Sequence, residues 1–249
     1  MIKKILTTVF AILTIGHACA DEILVAVAAN FAAPMEEIAR AFNKTSGHLL
    51  KISTGASGKF YAQIRNGAPF QIFLSADQDK PAQLEKEGLA IQGSRFTYAT
   101  GKLVLWSANP TTVDGKGKVL ENNRFSKVAI ANPKAAPYGE AAIETLVALN
   151  LKARLESKFV MGENISQTYQ FVESGNAEVG FIALSQVTRN NRLTSGSMWL
   201  VPENLYAPIK QDAVLLVNGK DSIAARQLLA FLKSDTALRI IKSYGYGVQ

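Results

Sequence analysis

Four short segments place polar residues at turns between an apolar run and a helical pattern: residues 28–31, 55–58, 136–139 and 162–165. Asn30 offers a side-chain amide, Ser57 a hydroxyl and Tyr138 a phenol, and each group is a neutral hydrogen-bond donor. A helix start adds unpaired backbone N–H groups and the positive end of the helix dipole. Such turns can bind an anion without a cationic side chain. Taken singly, each turn is also typical of an ordinary helix cap or chain reversal.

Two carboxylates, Asp77 and Asp79, follow a predicted strand. Paired carboxylates can transfer protons or bind a metal ion. They also come directly before a helical pattern that begins at Lys80, where a negative charge stabilises the first turn. We therefore expect them to cap that helix rather than to act as an acid and a base.

The first twenty residues have the pattern of a secretory signal peptide. Lys3 and Lys4 are followed by an uncharged apolar run at 5–15, and small residues at 18 and 20 flank Cys19. This pattern predicts export of the chain to the periplasm and cleavage after Ala20. Two alternatives are a membrane anchor, for which the apolar run is short, and lipidation of Cys19, for which Gly16 replaces the usual leucine.

Removal of residues 1–20 would narrow the chemistry available to the chain. Cys19 and His17 would be lost, and His48 would be the one histidine left. A thiol nucleophile, a disulfide and a Cys/His metal site are then excluded, and a Ser-His-Asp triad would have to use His48. We expect His48 to lie in a surface turn, so an exported α/β hydrolase or transferase is the weaker alternative.

The net charge is positive, with 27 Lys and Arg against 20 Asp and Glu, which gives +7. Two of the lysines belong to the predicted signal peptide, and the remaining basic residues are scattered without a run of four. A nucleic-acid surface needs a concentrated basic patch. We therefore expect no nucleic-acid partner.

Apolar runs alternate with helical patterns along the rest of the chain. The predicted strands are 23–28, 49–53, 71–74, 102–107, 128–131, 158–161, 179–182, 198–201 and 213–217. The predicted helices are 34–43, 57–66, 80–87, 139–149, 166–174, one from Ser185, 223–233 and 235–244. Repeated strand–helix units predict α/β layers with a mainly parallel sheet. We expect two lobes around a cleft, the first formed by 21–101 and 213–249 and the second by 102–212.

Several motifs, in this order and spacing, resemble the periplasmic molybdate-binding proteins of ABC importers. They are Val27-Ala-Ala-Asn-Phe31, Gly55-Ala-Ser-Gly-Lys-Phe-Tyr-Ala-Gln-Ile64, Asn66-Gly-Ala-Pro-Phe70, Ile72-Phe-Leu-Ser-Ala-Asp77, Asn132-Pro133, Ala136-Pro-Tyr-Gly139 and Tyr244-Gly-Tyr246. The resemblance covers essentially the whole chain after residue 20. It implies the type II fold of periplasmic binding proteins, in which helices flank a mainly parallel sheet in each lobe and the ligand lies in the cleft between the lobes.

The resemblance also implies which residues bind the ligand. The polar residue of the first turn falls on Asn30 and the serine of the second on Ser57, while backbone N–H groups of the third and fourth fall on Tyr138 and Ile165. Some family members use a tyrosine where this chain has Ala183, and others have a tyrosine in the Pro-x-Gly turn. Tyr138 is therefore a candidate for both an N–H and an O–H donor.

The implied ligand is molybdate or tungstate, with no cofactor, no catalytic residue and no direct bond from the protein to the metal. The implied partner is the membrane permease of an ABC importer, and we expect a monomer. A ring of donors favours a fully ionised oxyanion over one that keeps a proton. Sulfate is also a tetrahedral dianion and remains the alternative ligand, because the sequence does not reveal the size of the cavity.

Overall fold

The computed structural model describes residues 21–122 and 124–248, and the predicted signal peptide at 1–20 lies outside them. The strands are β1 Glu22–Ala28, β2 Leu49–Gly55, β3 Ile72–Leu74, β4 Phe96–Gly101, β5 Leu103–Ser107, β6 Val128–Ala131, β7 Phe159–Gly162, β8 Val179–Ala183, β9 Thr188–Arg189, β10 Arg192–Leu193, β11 Ser197–Leu200 and β12 Ile209–Leu215. The α-helices are α1 Ala32–Ser46, α2 Ser57–Arg65, α3 Asp79–Lys86, α4 Val119–Asn122, α5 Pro137–Ala148, α6 Lys152–Leu155, α7 Ile165–Glu173, α8 Ile223–Phe231 and α9 Asp235–Ser243.

The first sheet has the strand order β2-β1-β3-β12-β4 among the described residues. Strand β1 pairs in parallel with β2 and β3, and β12 runs antiparallel to both β3 and β4. Alternate residues of β1 face opposite layers of helices: Val25 and Val27 pack with α1, α8 and α9, whereas Ala26 packs with α2. Burial on both faces explains why this strand reads as a continuous apolar run.

The second sheet repeats this arrangement, with the order β11-β5-β8-β6-β7. Strands β6, β7 and β8 are parallel, and β5 runs antiparallel between β8 and β11. Helix α5 packs on one face and α7 on the other. In each sheet one antiparallel strand interrupts an otherwise parallel set, so the predicted two-lobed α/β fold is confirmed. We call each sheet with its helices a lobe, numbered in the order given.

The chain passes from the first lobe to the second at Lys102, between β4 and β5. It returns between the end of β11 at Leu200 and the start of β12 at Ile209. The sequence-based boundary at 213 therefore falls inside β12, a strand that pairs with β3 and β4 in the first sheet.

Several local predictions differ from the structure, and the short elements α4, α6, β9 and β10 were not predicted. Strand β4 was not predicted, because its sequence Phe-Thr-Tyr-Ala-Thr-Gly lacks a continuous apolar run. The predicted helix from Ser185 is a single 3-10 turn at Leu184–Gln186. Among the described residues, none of the helices is both long and apolar enough to cross a lipid bilayer.

Gly139 provides a test of how tightly α5 packs on β6. A Cβ at this position would overlap the carbonyl oxygen of Ala131 and lie 2.7 Å from the carbonyl carbon. Because backbone atoms cannot rotate away, Gly139→Ala should lower the free energy of unfolding by about 1–3 kcal/mol, the usual cost of overpacking. Urea denaturation of the two proteins would measure the difference.

Gly115→Ala is the matched control, because a Cβ at Gly115 meets no atom within 4 Å. This control should change stability by less than about 0.5 kcal/mol. Equal stability of the Gly139→Ala variant and the control would contradict the close packing of α5 on β6.

Candidate functional site

The four sequence-predicted turns meet at one cavity between the two lobes. Its lining comprises Ala28, Ala29, Asn30, Gly55, Ala56, Ser57, Ala76, Ala136, Pro137, Tyr138, Asn164 and Ile165. The turns follow β1, β2, β6 and β7, and the carboxyl ends of parallel strands are where α/β sheets bind ligands. The volume open to the centre of a water molecule is about 10 Å³, so the cavity is narrow and its size suits one small ligand.

Ser57 lies in the first turn of α2 and is almost fully buried, with 1% of its surface exposed. Its Oγ accepts a hydrogen bond of 2.9 Å from the backbone N–H of Ala76. Within the described parts of the chain, this hydroxyl donates to no other group, so its hydrogen is available to a ligand in the cavity.

Tyr138 is the second residue of α5, directly after Pro137. Since proline has no N–H, the N–H of Tyr138 is the first donor that this helix start can offer. The phenol has a different environment, because its oxygen accepts a hydrogen bond of 3.2 Å from Nε2 of Gln211 on β12. Burial raises the pKa of the Tyr138 phenol well above its ordinary value, so the group stays protonated and neutral.

Ile165 is the first residue of α7, and Asn164 caps this helix. The cap determines which N–H groups of the first turn remain unpaired. Oδ1 of Asn164 accepts hydrogen bonds from the N–H groups of Ser166 (2.9 Å) and Gln167 (3.0 Å). This cap satisfies two donors of the first turn and leaves the N–H of Ile165 beside the cavity.

Asn30 lies in the 3-10 turn Ala29–Phe31 that precedes α1. Its Nδ2 donates to Oε1 of Gln211 and to the hydroxyl of Tyr246, both at 2.8 Å. The two amide hydrogens are therefore held by protein groups. What Asn30 can offer the cavity is its backbone N–H, which lies in the first turn of this helix.

A buried polar network behind the cavity was not predicted from the sequence. Oε1 of Gln211 also accepts a hydrogen bond from the hydroxyl of Tyr98 (3.0 Å), and Ser185 Oγ donates to the carbonyl of Asn30 (2.9 Å). Burial raises the pKa of both Tyr98 and Tyr246. The network therefore carries no phenolate charge, and it connects the first lobe to Tyr138 and Ser185 of the second.

Part of this network had a signal in the sequence. Tyr246 belongs to the carboxyl-terminal motif that carries the family resemblance. Gln211 had no such signal, because it precedes the predicted strand at 213–217 and its burial on β12 is visible only in the structure.

The two lobes touch beside the cavity, through the first turn of α2. Gly58 N–H donates to the carbonyl of Ala135 (2.9 Å), and Lys59 Nζ lies 2.7 Å from Glu163 Oε2. The structure therefore shows the lobes closed over the cavity.

A second set of contacts joins the lobes near the carboxyl terminus. Arg189 of β9 forms an ion pair with Glu37 of α1 at 2.5 Å and lies over the Tyr244 ring, 4.3 Å from its centroid. These contacts connect the short β9–β10 hairpin of the second lobe to the first.

Of the two acidic residues considered as catalysts, Asp77 has structural partners and Asp79 is the first residue of α3. Asp77 Oδ1 accepts a hydrogen bond from the N–H of Lys80 (2.9 Å), and Oδ2 lies 2.8 Å from Lys80 Nζ, so Asp77 binds the first turn of α3 as predicted, although the helix begins at Asp79 rather than Lys80. His48 lies between the Asp21 N–H and the Gln227 side chain, in the turn that joins α1 to β2. In the part of the chain that the structure describes, no group of three or more His, Cys, Asp or Glu residues could hold a metal ion.

Comparison with known proteins agrees with this geometry. The family model of bacterial extracellular solute-binding proteins matches residues 23–247. The chain is 56% identical to the molybdate-binding protein ModA of Azotobacter vinelandii over 92% of this chain and 91% of that protein. It is 53% identical to ModA of Rhodobacter capsulatus over 92% of this chain and 89% of that protein.

Solved structures show the same fold. The periplasmic molybdate-binding protein of Azotobacter vinelandii superposes with a TM-score of 0.89 and 42% identity, over 91% of this chain and 99% of that one. The sulfate-binding protein SubI of Mycobacterium tuberculosis superposes with a TM-score of 0.71 over 91% of this chain and 86% of that one, and at 14% identity it shows a common fold alone. The resemblance seen in the sequence motifs is confirmed, and the chain belongs to the family of bacterial extracellular solute-binding proteins.

Proposed function

We propose that this protein captures molybdate, and also tungstate, in the cavity between its lobes and delivers it to an ABC importer. The observation that carries the proposal is the meeting of four helix starts from both lobes at one cavity. The proposed ligand donors are the hydroxyl of Ser57 and the backbone N–H groups of Asn30, Ser57, Tyr138 and Ile165. The relatives above that are more than half identical to this chain are molybdate-binding proteins, which supports the choice of anion.

The lining of the cavity suits a dianion that has lost its water. A buried ion is costly unless its hydrogen bonds are replaced, and hydrogen bonds to a charged acceptor are stronger than neutral ones. None of the described residues that line the cavity has a charged side chain. Affinity must then come from fixed dipoles, and a fully ionised tetrahedral anion can accept from every one of them.

The cellular route follows from the predicted signal peptide. We propose export to the periplasm with cleavage after Ala20, action as a monomer, and transfer of the anion to a membrane permease without any chemical step. The lobes would open and close around the crossings at Lys102 and between Leu200 and Ile209. Sulfate remains a second candidate ligand, because neutral donors can form hydrogen bonds with any tetrahedral dianion.

Binding of molybdate should raise the thermal stability of the mature protein. A ligand that binds only the folded state adds about 2.7 kcal/mol at one hundred times its dissociation constant. For a chain of this size, each kcal/mol moves the unfolding temperature by about 2–4 °C. We therefore expect a rise of roughly 5–10 °C with molybdate and with tungstate in differential scanning fluorimetry.

Sulfate and phosphate at the same concentration serve as comparisons and should give smaller shifts. No shift with millimolar molybdate would rule out the proposed ligand. A larger shift with sulfate would favour the second candidate.

Ser57→Ala removes a side-chain donor of the cavity lining whose hydrogen bonds no other described group. Hydrogen bonds to charged groups contribute about 1.5–3 kcal/mol, so molybdate affinity should fall by roughly 10- to 150-fold in calorimetric titration. Ser174→Ala is the control, because its hydroxyl lies at the exposed end of α7, where it donates to the Gln170 carbonyl and accepts from Nδ2 of Asn176. Unchanged affinity of Ser57→Ala would remove Ser57 from the site.

Tyr138→Phe separates the two donors of this residue. The backbone N–H stays in place, while Nε2 of Gln211 loses the phenol oxygen as its acceptor. We expect a stability loss of about 1–3 kcal/mol from the unsatisfied amide, with a smaller loss of molybdate affinity than Ser57→Ala causes. Parallel titration and urea unfolding would measure both effects. An affinity loss equal to that of Ser57→Ala would assign the phenol a direct contact with the anion.

A further inference from the structure

One contact between the lobes is made by backbone atoms on both sides. The N–H of Gly58, in the first turn of α2, donates to the carbonyl oxygen of Ala135, in the turn before α5. Their separation of 2.9 Å is that of a normal hydrogen bond. Other contacts across the cavity use side chains, as in the Lys59–Glu163 ion pair and the 3.3 Å bond from Ser166 Oγ to the Ala29 carbonyl.

This contact leaves no room for a side chain between the two backbone segments. A Cβ on Gly58 would lie 3.0 Å from Cα and 3.1 Å from the carbonyl oxygen of Ala135. Both of these atoms belong to the backbone, so neither can rotate away as the end of a long side chain can. In the protein itself, the Gly58 nitrogen and the Ala135 oxygen are already at hydrogen-bond distance, so the lobes cannot move closer at this point without overlap of backbone atoms.

The contact is also next to the proposed ligand donors on each side. Gly58 follows Ser57 directly, and Ala135 is separated from Tyr138 by two residues. Because both segments belong to rigid helix starts, the spacing at Gly58 and Ala135 fixes the distance between the Ser57 hydroxyl and the Tyr138 N–H.

We infer that the Gly58–Ala135 contact is a stop that sets the width of the closed cavity, and that Gly58 is thereby a determinant of anion size. This inference rests on the proposed function, in which a tetrahedral oxyanion is held by donors of both lobes. Sulfate and chromate are smaller than molybdate, because their bonds from the central atom to oxygen are shorter. The stop prevents the lobes from closing further onto them, so they contact the donors of one lobe incompletely.

The test is Gly58→Ala in the full mature protein, titrated with molybdate, chromate and sulfate. The added methyl group would hold the lobes apart by a few tenths of an ångström. Molybdate, which contacts the donors of both lobes in the parent protein, then loses some of these hydrogen bonds. Its affinity should fall by about tenfold or more. Chromate and sulfate already make incomplete contacts and should lose less, so the preference for molybdate should narrow.

The unfolding temperature without ligand separates this role from a role in folding. Alanine is a better helix former than glycine, and the methyl group meets Ala135 only when the lobes are closed, so the variant should be at least as stable as the parent without ligand. The control is again Gly115→Ala, whose Cβ meets open space. This control should leave the affinities for all three anions unchanged.

Each other outcome overturns the inference. Unchanged molybdate affinity would show that the contact does not limit closure. Equal losses for the three anions would show that the contact does not select by size. A lower unfolding temperature without ligand, in proportion to the affinity loss, would assign Gly58 to folding. Failure of the unsubstituted protein to bind molybdate would instead reject the proposed function itself.

Discussion

The structure around the cavity depends on unpaired N–H groups at helix starts. Every helix leaves its first N–H groups without an internal partner, and these groups need an acceptor when they are buried. Here the helix caps leave few of these N–H groups unpaired. Asn164 Oδ1 accepts from two donors of α7, and Pro137 has no N–H to contribute to α5. The donors that remain, at Tyr138 and Ile165, line the same cavity as Ser57. The proposed anion would complete the hydrogen bonding that the chain itself leaves open at this point.

The second requirement is that, among the described residues, no negatively charged side chain lines the cavity. Gln211 and Asp212 are neighbours on β12 and are both fully buried, yet only the neutral amide faces the network behind the cavity. The Asp212 carboxylate instead accepts hydrogen bonds from Arg95 and Thr97. The pairing register of β12 shifts between Gln211 and Asp212. Such irregularities redirect side chains. The Asp212 carboxylate is thus buried next to Gln211 in the sequence but bonded away from the network, and Arg95 compensates its charge.

The sequence could predict the parts of this site that depend on local pattern. Ser57, Tyr138 and Ile165 each lie at a helix start, and such starts are recognisable from caps and turn residues over a few positions. The two partners of the Asn30 amide could not be predicted in this way, because Gln211 and Tyr246 lie 181 and 216 positions further along the chain. Strand β4 was missed for a related reason. It is held at one edge of the first sheet by β12, more than one hundred residues later, rather than by its own apolar pattern.

The distribution of contacts between the lobes bears on how such a protein releases what it captures. At the mouth of the cavity, the Lys59–Glu163 pair has exposed side chains, 51% and 65% accessible, and an exposed ion pair contributes about 0–1 kcal/mol. The buried contacts between lobes, through Gln211, Tyr246 and Ser185, lie behind the cavity and near the crossings of the chain. The lobes are thus joined firmly on one side and weakly on the other. With the ligand donors proposed above, closure on the weak side would depend on the anion, because a ligand that accepts from donors of both lobes adds free energy that the exposed ion pair does not supply.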